Sequence, residues 1–236
     1  MNKKPFPSML VLGSLAFAGV LTGIVLTFWV APVEGSLGIV QKIFYFHVPS
    51  AISSYIGFGL CGIASIAYLL KPAKWADRLA QAGAELGVVF ATCVLITGPL
   101  WGYKSWGTYW EWEPRLTSML LTFLIYVSYL LLRQFGGEGE MARKVGAIMG
   151  VLGLVGIGII RISVTLWGGV HPQVVTGKGG GIHPSMKPAF YTCFVAFMVL
   201  SAVLIWLRVR IAQQADEIES LHLLAGDVEY DLEKNQ

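Results

Sequence analysis

Charge is what this sequence has least of. Asp, Glu, Lys and Arg make up 13% of its residues, about half the share found in an ordinary soluble domain. That scarcity excludes a conventional water-soluble fold. The few basic residues never interleave with aromatics on a polar segment, so the chain encodes no nucleic-acid surface. Cysteine is also sparse: Cys61, Cys93 and Cys193 form no CxxC pair, which excludes a thioredoxin-like motif and a zinc ribbon. CxxCH is missing as well, so the chain has no site for covalent attachment of a c-type haem. No internal repeat is visible, which argues against an inverted-repeat transporter.

What the chain has in abundance is apolar length. Hydrophobic residues fall into six runs, at about 9–31, 50–70, 80–100, 116–133, 145–167 and 189–207. A bilayer-crossing helix needs roughly 20 such residues. The pattern predicts an all-α integral membrane protein: a six-transmembrane-helix bundle over residues 1–212, followed by an acidic tail over 213–236. The first run follows Lys3 and Lys4 but exceeds the roughly 7–15 residue core of a signal peptide, so it is expected to stay as a helix. Gly83 and Gly87 in the third run, and Gly146, Gly150, Gly153, Gly156 and Gly158 in the fifth, are expected to let helices pack closely in lipid.

Six spans leave both termini on one side. Eleven of the 17 Lys and Arg residues fall on that side, among them Lys3, Lys4, Arg133, Arg143 and Arg208. The positive-inside rule then predicts that both termini are cytoplasmic. Three loops face outward, at about 32–49, 101–115 and 168–188. The middle one reads WGYKSWGTYWEW from Trp101 to Trp112 and holds four of the eight tryptophans. Indole has a large apolar body and one N–H that needs a partner, so such a cluster suits a membrane face and a flat apolar object with polar edges.

Histidine points to what that object is. His47 (in FYFHVPSA) and His171 (in WGGVHPQ) lie on the two outward loops that flank the tryptophan loop. Pro49 is expected in the first turn of the second helix, holding His47 near a rigid helix start. His183 follows a flexible KGGG run (Lys178–Gly181) and is a poorer candidate, and His222 lies in the acidic tail on the other side. Zinc asks for more ligands than two imidazoles, and copper for added Cys or Met. A b-type haem needs only one or two axial imidazoles, because the porphyrin supplies four nitrogens. Arg115 can clamp a propionate. Arg161, inside the fifth run, is expected either to snorkel to the interface or to face a second propionate. Glu85, inside the third run, is expected to reach Arg78 or Lys74.

These residues carry a resemblance. WGTYWEWEPRLTS (Trp106–Ser118), YFHVPSA (Tyr45–Ala51) and SVTLWGGVH (Ser163–His171) are similar to the signatures of the tryptophan-rich haem-handling membrane proteins, the CcmC/CcmF/CcsA family, and most of all to its haem-delivery (CcmC) branch. The resemblance covers all but the acidic tail. It implies a protein of the bacterial cytoplasmic (inner) membrane that acts in cytochrome c-type biogenesis. It implies haem b at the outer face, with His47 and His171 as axial metal ligands and Trp106, Gly107, Trp110, Trp112 and Arg115 in contact with it. It implies delivery to a CcmE-like haem chaperone, aided by a CcmD-like small membrane protein and a CcmA–CcmB ABC-type complex. Any catalysis would be limited to orienting haem toward the chaperone. The chain departs from the family loop, which often has Trp at the position of Tyr109 and Asp-Ala at that of Glu113-Pro114. Rival readings are a cytochrome c synthase subunit of CcsA type, for which the chain is short, a transmembrane haem transporter, and a scaffold with an aromatic belt and no ligand.

Overall fold

The computed structural model describes residues 7–137, 139–169, 171 and 181–234. Six helices carry nearly all of them: α1 (Pro7–Val25), α2 (Phe44–Leu70), α3 (Lys74–Trp106), α4 (Pro114–Phe135), α5 (Glu140–Trp167) and α6 (Lys187–Lys234). Each contains a stretch long and apolar enough to cross a membrane. The chain is therefore an all-α, multi-pass membrane protein, as its apolar runs predict. Among the described residues there is no β-strand, only a single bridge between Glu34 and Gly38.

The bundle is organised around α2, which packs on α3, α5 and α6, while α4 packs on α5 and α1 on α6. Lipid offers no hydrophobic drive between helices, so contact depends on small residues that bring backbones together. Gly57 of α2 faces Gly83 and Gly87 of α3: a Cβ on Gly57 would lie 2.5 Å from the Gly87 nitrogen and 2.7 Å from the Gly83 carbonyl oxygen. One on Gly83 would lie 2.7 Å from the Cys61 nitrogen. These contacts fix the antiparallel register, in which Gly57 stands opposite Gly87 and Cys61 opposite Gly83. In α5, Gly150, Gly153 and Gly156 give room to Ser65, Tyr126 and Thr122, whereas Gly158 faces open space. Tyr126 of α4 stacks on Phe58 of α2 at 4.1 Å and directs its hydroxyl at the carbonyls of Phe58 (2.8 Å) and Gly150 (3.1 Å), which ties three helices together.

Several elements differ from the expectation. The second helix starts at Phe44, after a short 3₁₀ turn (Ile39–Ile43), so Pro49 is inside it rather than in its first turn. Packing outweighs the bond that proline cannot donate: Tyr45 is fully buried and Phe44 stacks on Phe190 of α6 at 5.1 Å. The tryptophan loop is shorter than expected, because α3 runs on to Trp106 and α4 begins at Pro114. The acidic tail is not a separate fraying segment but the continuation of α6 to Lys234. Glu85 pairs not with Arg78 or Lys74 but with Arg208 of α6 (2.8 Å from a terminal guanidinium nitrogen). Arg78 and Lys74 instead face Asp216, and Arg133 holds Asp77 at 2.7 Å. Residues 172–180, with most of the glycine-rich run, lie outside the described residues.

Lys42 falls within the first outward loop expected at about 32–49, yet it is not a loop charge. It is buried, and its ammonium donates to the carbonyls of Thr27 (2.8 Å), Phe28 (3.1 Å) and Ala31 (3.4 Å), where α1 ends in a π-turn (Leu26–Val30). It satisfies carbonyls that a helix end leaves without partners, and it sits at the negative pole of the helix dipole.

Gly83→Ala forces α2 and α3 apart and is expected to cost roughly 1–3 kcal/mol. Gly158→Ala, in open space, is expected to be neutral or slightly stabilising. Thermal melting of the purified protein in detergent checks both; equal melting temperatures for the two variants would contradict the crossing.

Candidate functional site

The site is built at the end of the bundle opposite the Arg133–Asp77 and Arg208–Glu85 pairs, where α2 and α4 begin and α3 and α5 finish. α3 stops at Gly107, whose φ of 88° is the left-handed conformation that closes many helix C-termini; its N–H donates to the Tyr103 carbonyl at 3.0 Å. Gly107 thus aims the short segment that follows. Pro114 takes the first position of α4, where a missing N–H costs nothing. Between them, Gly107–Glu113 carries Trp110 and Trp112, packed edge to face at 5.6 Å. Tyr109 stacks on Tyr103 at 4.3 Å, which keeps an aromatic face there.

The tryptophans are not equivalent. Trp106 and Trp110 are half-buried, and their indole nitrogens are buried with no hydrogen-bond partner among the described residues. Trp106 folds back over Gly102, where a Cβ would lie 2.8 Å from its ring. Trp112, by contrast, is 75% exposed.

His47 sits in the first turns of α2, with its Nδ1 2.8 Å from the Thr97 hydroxyl of α3 and its Cε1 against Gly98. His171 approaches from the segment after α5. Its backbone N–H donates to the Glu113 carboxylate at 3.3 Å, and its own Nδ1 is buried without a partner. Burial pushes the His171 imidazole down to about 3, with the Arg115 and His47 charges adding to the effect. It is therefore neutral, with a lone pair to give, at any physiological pH. His47 at the start of α2, Arg115 at the start of α4 and His171 after α5 thus share one end of the bundle. Among the described residues Arg115 has no carboxylate partner. His183 is elsewhere in role: exposed, it caps a 3₁₀ turn (Pro184–Met186) by accepting from the Ser185 N–H at 3.4 Å. His222 is exposed on α6, as expected, and so is Arg161 on α5.

A buried polar atom without a partner costs roughly 1–3 kcal/mol, so native proteins keep few. Trp106 Nε1, Trp110 Nε1, Glu113 Oε1, Thr117 Oγ1 and His171 Nδ1 are all in this condition, and all lie at this end. Two indole N–H groups, a hydroxyl and a guanidinium are donors that suit carboxylates. Glu113 Oε1 and His171 Nδ1 are complementary to each other. Among the described residues no three His, Cys, Asp or Glu side chains gather as a metal site. A metal held here would need ligands beyond those that the described side chains gather.

In the sequence Thr97, Gly98 and Gly102 do not stand out, and Glu113 does so only as one of the charges beside the tryptophans and as a departure from the family loop. Gly98-Pro99 inside an apolar run was the one available signal, since this dipeptide marks a special backbone position.

The family model described as "Heme exporter protein C" matches residues 4–223. The "Heme exporter protein C" of Bradyrhizobium diazoefficiens is 34% identical over 189 residues, 80% of this chain and 70% of that protein. That of Escherichia coli (strain K12) is 33% identical over 198 residues, covering 84% and 80%. That of Rhodobacter capsulatus is 30% identical over 204 residues, covering 85% and 84%.

Gly169 has no room for a side chain: a Cβ there would collide with Glu113 Oε2. Gly169→Ala is expected to displace the carboxylate, free the His171 backbone and cost about 1–3 kcal/mol. Accelerated proteolysis between α5 and α6, with a lower melting temperature, checks it; wild-type resistance would contradict the contact.

Proposed function

The chain belongs to the "Heme exporter protein C" family, and from that premise we propose that it binds haem b at the tryptophan-rich end of the bundle and hands it to a CcmE-like chaperone during cytochrome c maturation. In this reading the tryptophan-rich end faces the periplasm and both termini the cytoplasm of a bacterial inner membrane, in keeping with the bias of basic residues to the other end. A CcmD-like small protein and a CcmA–CcmB ABC-type complex are the expected partners in releasing the loaded chaperone.

One observation carries the proposal: His47 from the start of α2 and His171 from the segment after α5 come to the same end of the bundle, beside two buried indole N–H groups that have no partner among the described residues. The cargo supplies the iron and the equatorial ring. The chain's own residues bind and orient it. His47 and His171 offer neutral lone pairs to the iron. Trp106 and Trp110 offer an apolar wall with inward N–H groups, and Arg115 a cation for a propionate. Trp112, largely exposed, is suited to meet the chaperone or the rim of the ligand rather than its centre. Because the ledge is formed by a short loop and a helix end rather than a sealed cavity, haem can be held and still be passed on. Catalysis reduces to orientation of the haem edge toward the acceptor.

The protein purified from haem-replete membranes is expected to show a Soret band. His47→Ala and His171→Ala are expected to lose most of it, while His183→Ala and His222→Ala keep it. A band of equal strength in the double His47→Ala/His171→Ala variant would remove the ligand assignment.

A further inference from the structure

The contact between His47 and Thr97 fixes more than a position. A hydroxyl has one proton. That of Thr97 points to the Cys93 carbonyl one turn back on α3, at 2.6 Å. A carbonyl oxygen can only accept, so this proton is committed. At the 2.8 Å contact with His47 Nδ1, Thr97 Oγ1 must therefore accept, and Nδ1 must carry the hydrogen. The neutral imidazole is then left with its lone pair on Nε2, to which no described residue bonds. Free imidazole side chains in water favour the opposite tautomer, so the protein has selected the less common form. Gly98 completes the seat: a Cβ there would stand 3.3 Å from His47 Cε1, so the α3 backbone lies along the edge of the ring.

We propose that Thr97 is the positioning residue for haem capture: the Cys93–Thr97–His47 chain holds His47 as its Nδ1–H tautomer, with Nε2 presented to iron before haem arrives. This rests on the reading of His47 as an axial ligand. The partner of a ligating histidine sets its tautomer, its orientation and its donor strength. His171 has no such partner on its own Nδ1 among the described residues. The two imidazoles are therefore unequal: His47 is preset, and His171 is the one free to adjust as haem enters or leaves.

The test begins with the haem-free, full-length protein in nanodiscs, labelled with ¹⁵N-histidine, with the His47 signals assigned by their loss in His47→Ala. Wild type and Thr97→Ser are expected to show Nδ1 protonated; Thr97→Val, which keeps the shape and removes the acceptor, is expected to revert toward the Nε2–H form. Wild type in the Nε2–H form, or an unchanged tautomer in Thr97→Val, overturns the relay. In a second arm, titration with ferric protoporphyrin IX is expected to show affinity about 10- to 100-fold weaker for Thr97→Val, near wild type for Thr97→Ser, with a more positive midpoint potential for the haem that Thr97→Val retains. Wild-type affinity and potential in Thr97→Val, with binding lost in His47→Ala, sinks the positioning role alone. Wild-type binding in His47→Ala sinks the ligand assignment instead, leaving the tautomer measurement to judge the hydrogen-bond chain by itself.

Discussion

The close crossing of α2 and α3 is the constraint on which the rest depends. Gly57 against Gly83 and Gly87 brings two backbones together where lipid gives no hydrophobic push. It also sets a register. His47 lies ten residues before Gly57, and Thr97 ten residues after Gly87. On antiparallel helices rising about 1.5 Å per residue, both are carried some 15 Å toward the same end. The histidine and the hydroxyl that orients it are thus paired by glycines that touch neither. A packing feature at mid-bundle becomes a proton position at the membrane face.

The two ends of the bundle divide the work. At the end with the termini, Arg78–Asp216, Arg133–Asp77 and Arg208–Glu85 join α3, α4 and α6 through ion pairs. These tie the three helices together, with Arg133 Nε the one buried atom among them that has no partner among the described residues. At the other end several buried polar groups have no partner among the described residues: indole N–H groups, one oxygen of Glu113 and one nitrogen of His171. The ion pairs between helices thus gather at one end and, among the described residues, most of the unpartnered buried polar atoms at the other. Lys42 belongs to the stabilising group although it lies near the binding end, since its charge is spent on three carbonyls at the close of α1.

Much of this was legible in the sequence. Six apolar runs and their small residues give the helices and their close approaches, because length and hydropathy act locally. The tryptophan loop and the flanking histidines could be found because indole and imidazole are rare and chemically specific. Boundaries were less legible. α2 starts six residues early because Phe44 and Tyr45 find partners on α6, a tertiary effect that no local pattern encodes. Glu85 meets Arg208, 123 residues away, for the same reason. Thr97 was hidden because a threonine in an apolar helix most often bonds its own backbone. It does so here, and the value of that bond appears only when His47 is seen beside it. The difference between Trp110 and Trp112 depends on the way the loop turns after Gly107.

The central claim is that one haem is held between two imidazoles at a single face of the bundle. Electron paramagnetic resonance of the ferric haem-loaded protein tests it most directly. The account predicts the low-spin signal of iron with two axial imidazoles. A high-spin signal from iron with a single axial ligand in the intact protein would contradict it.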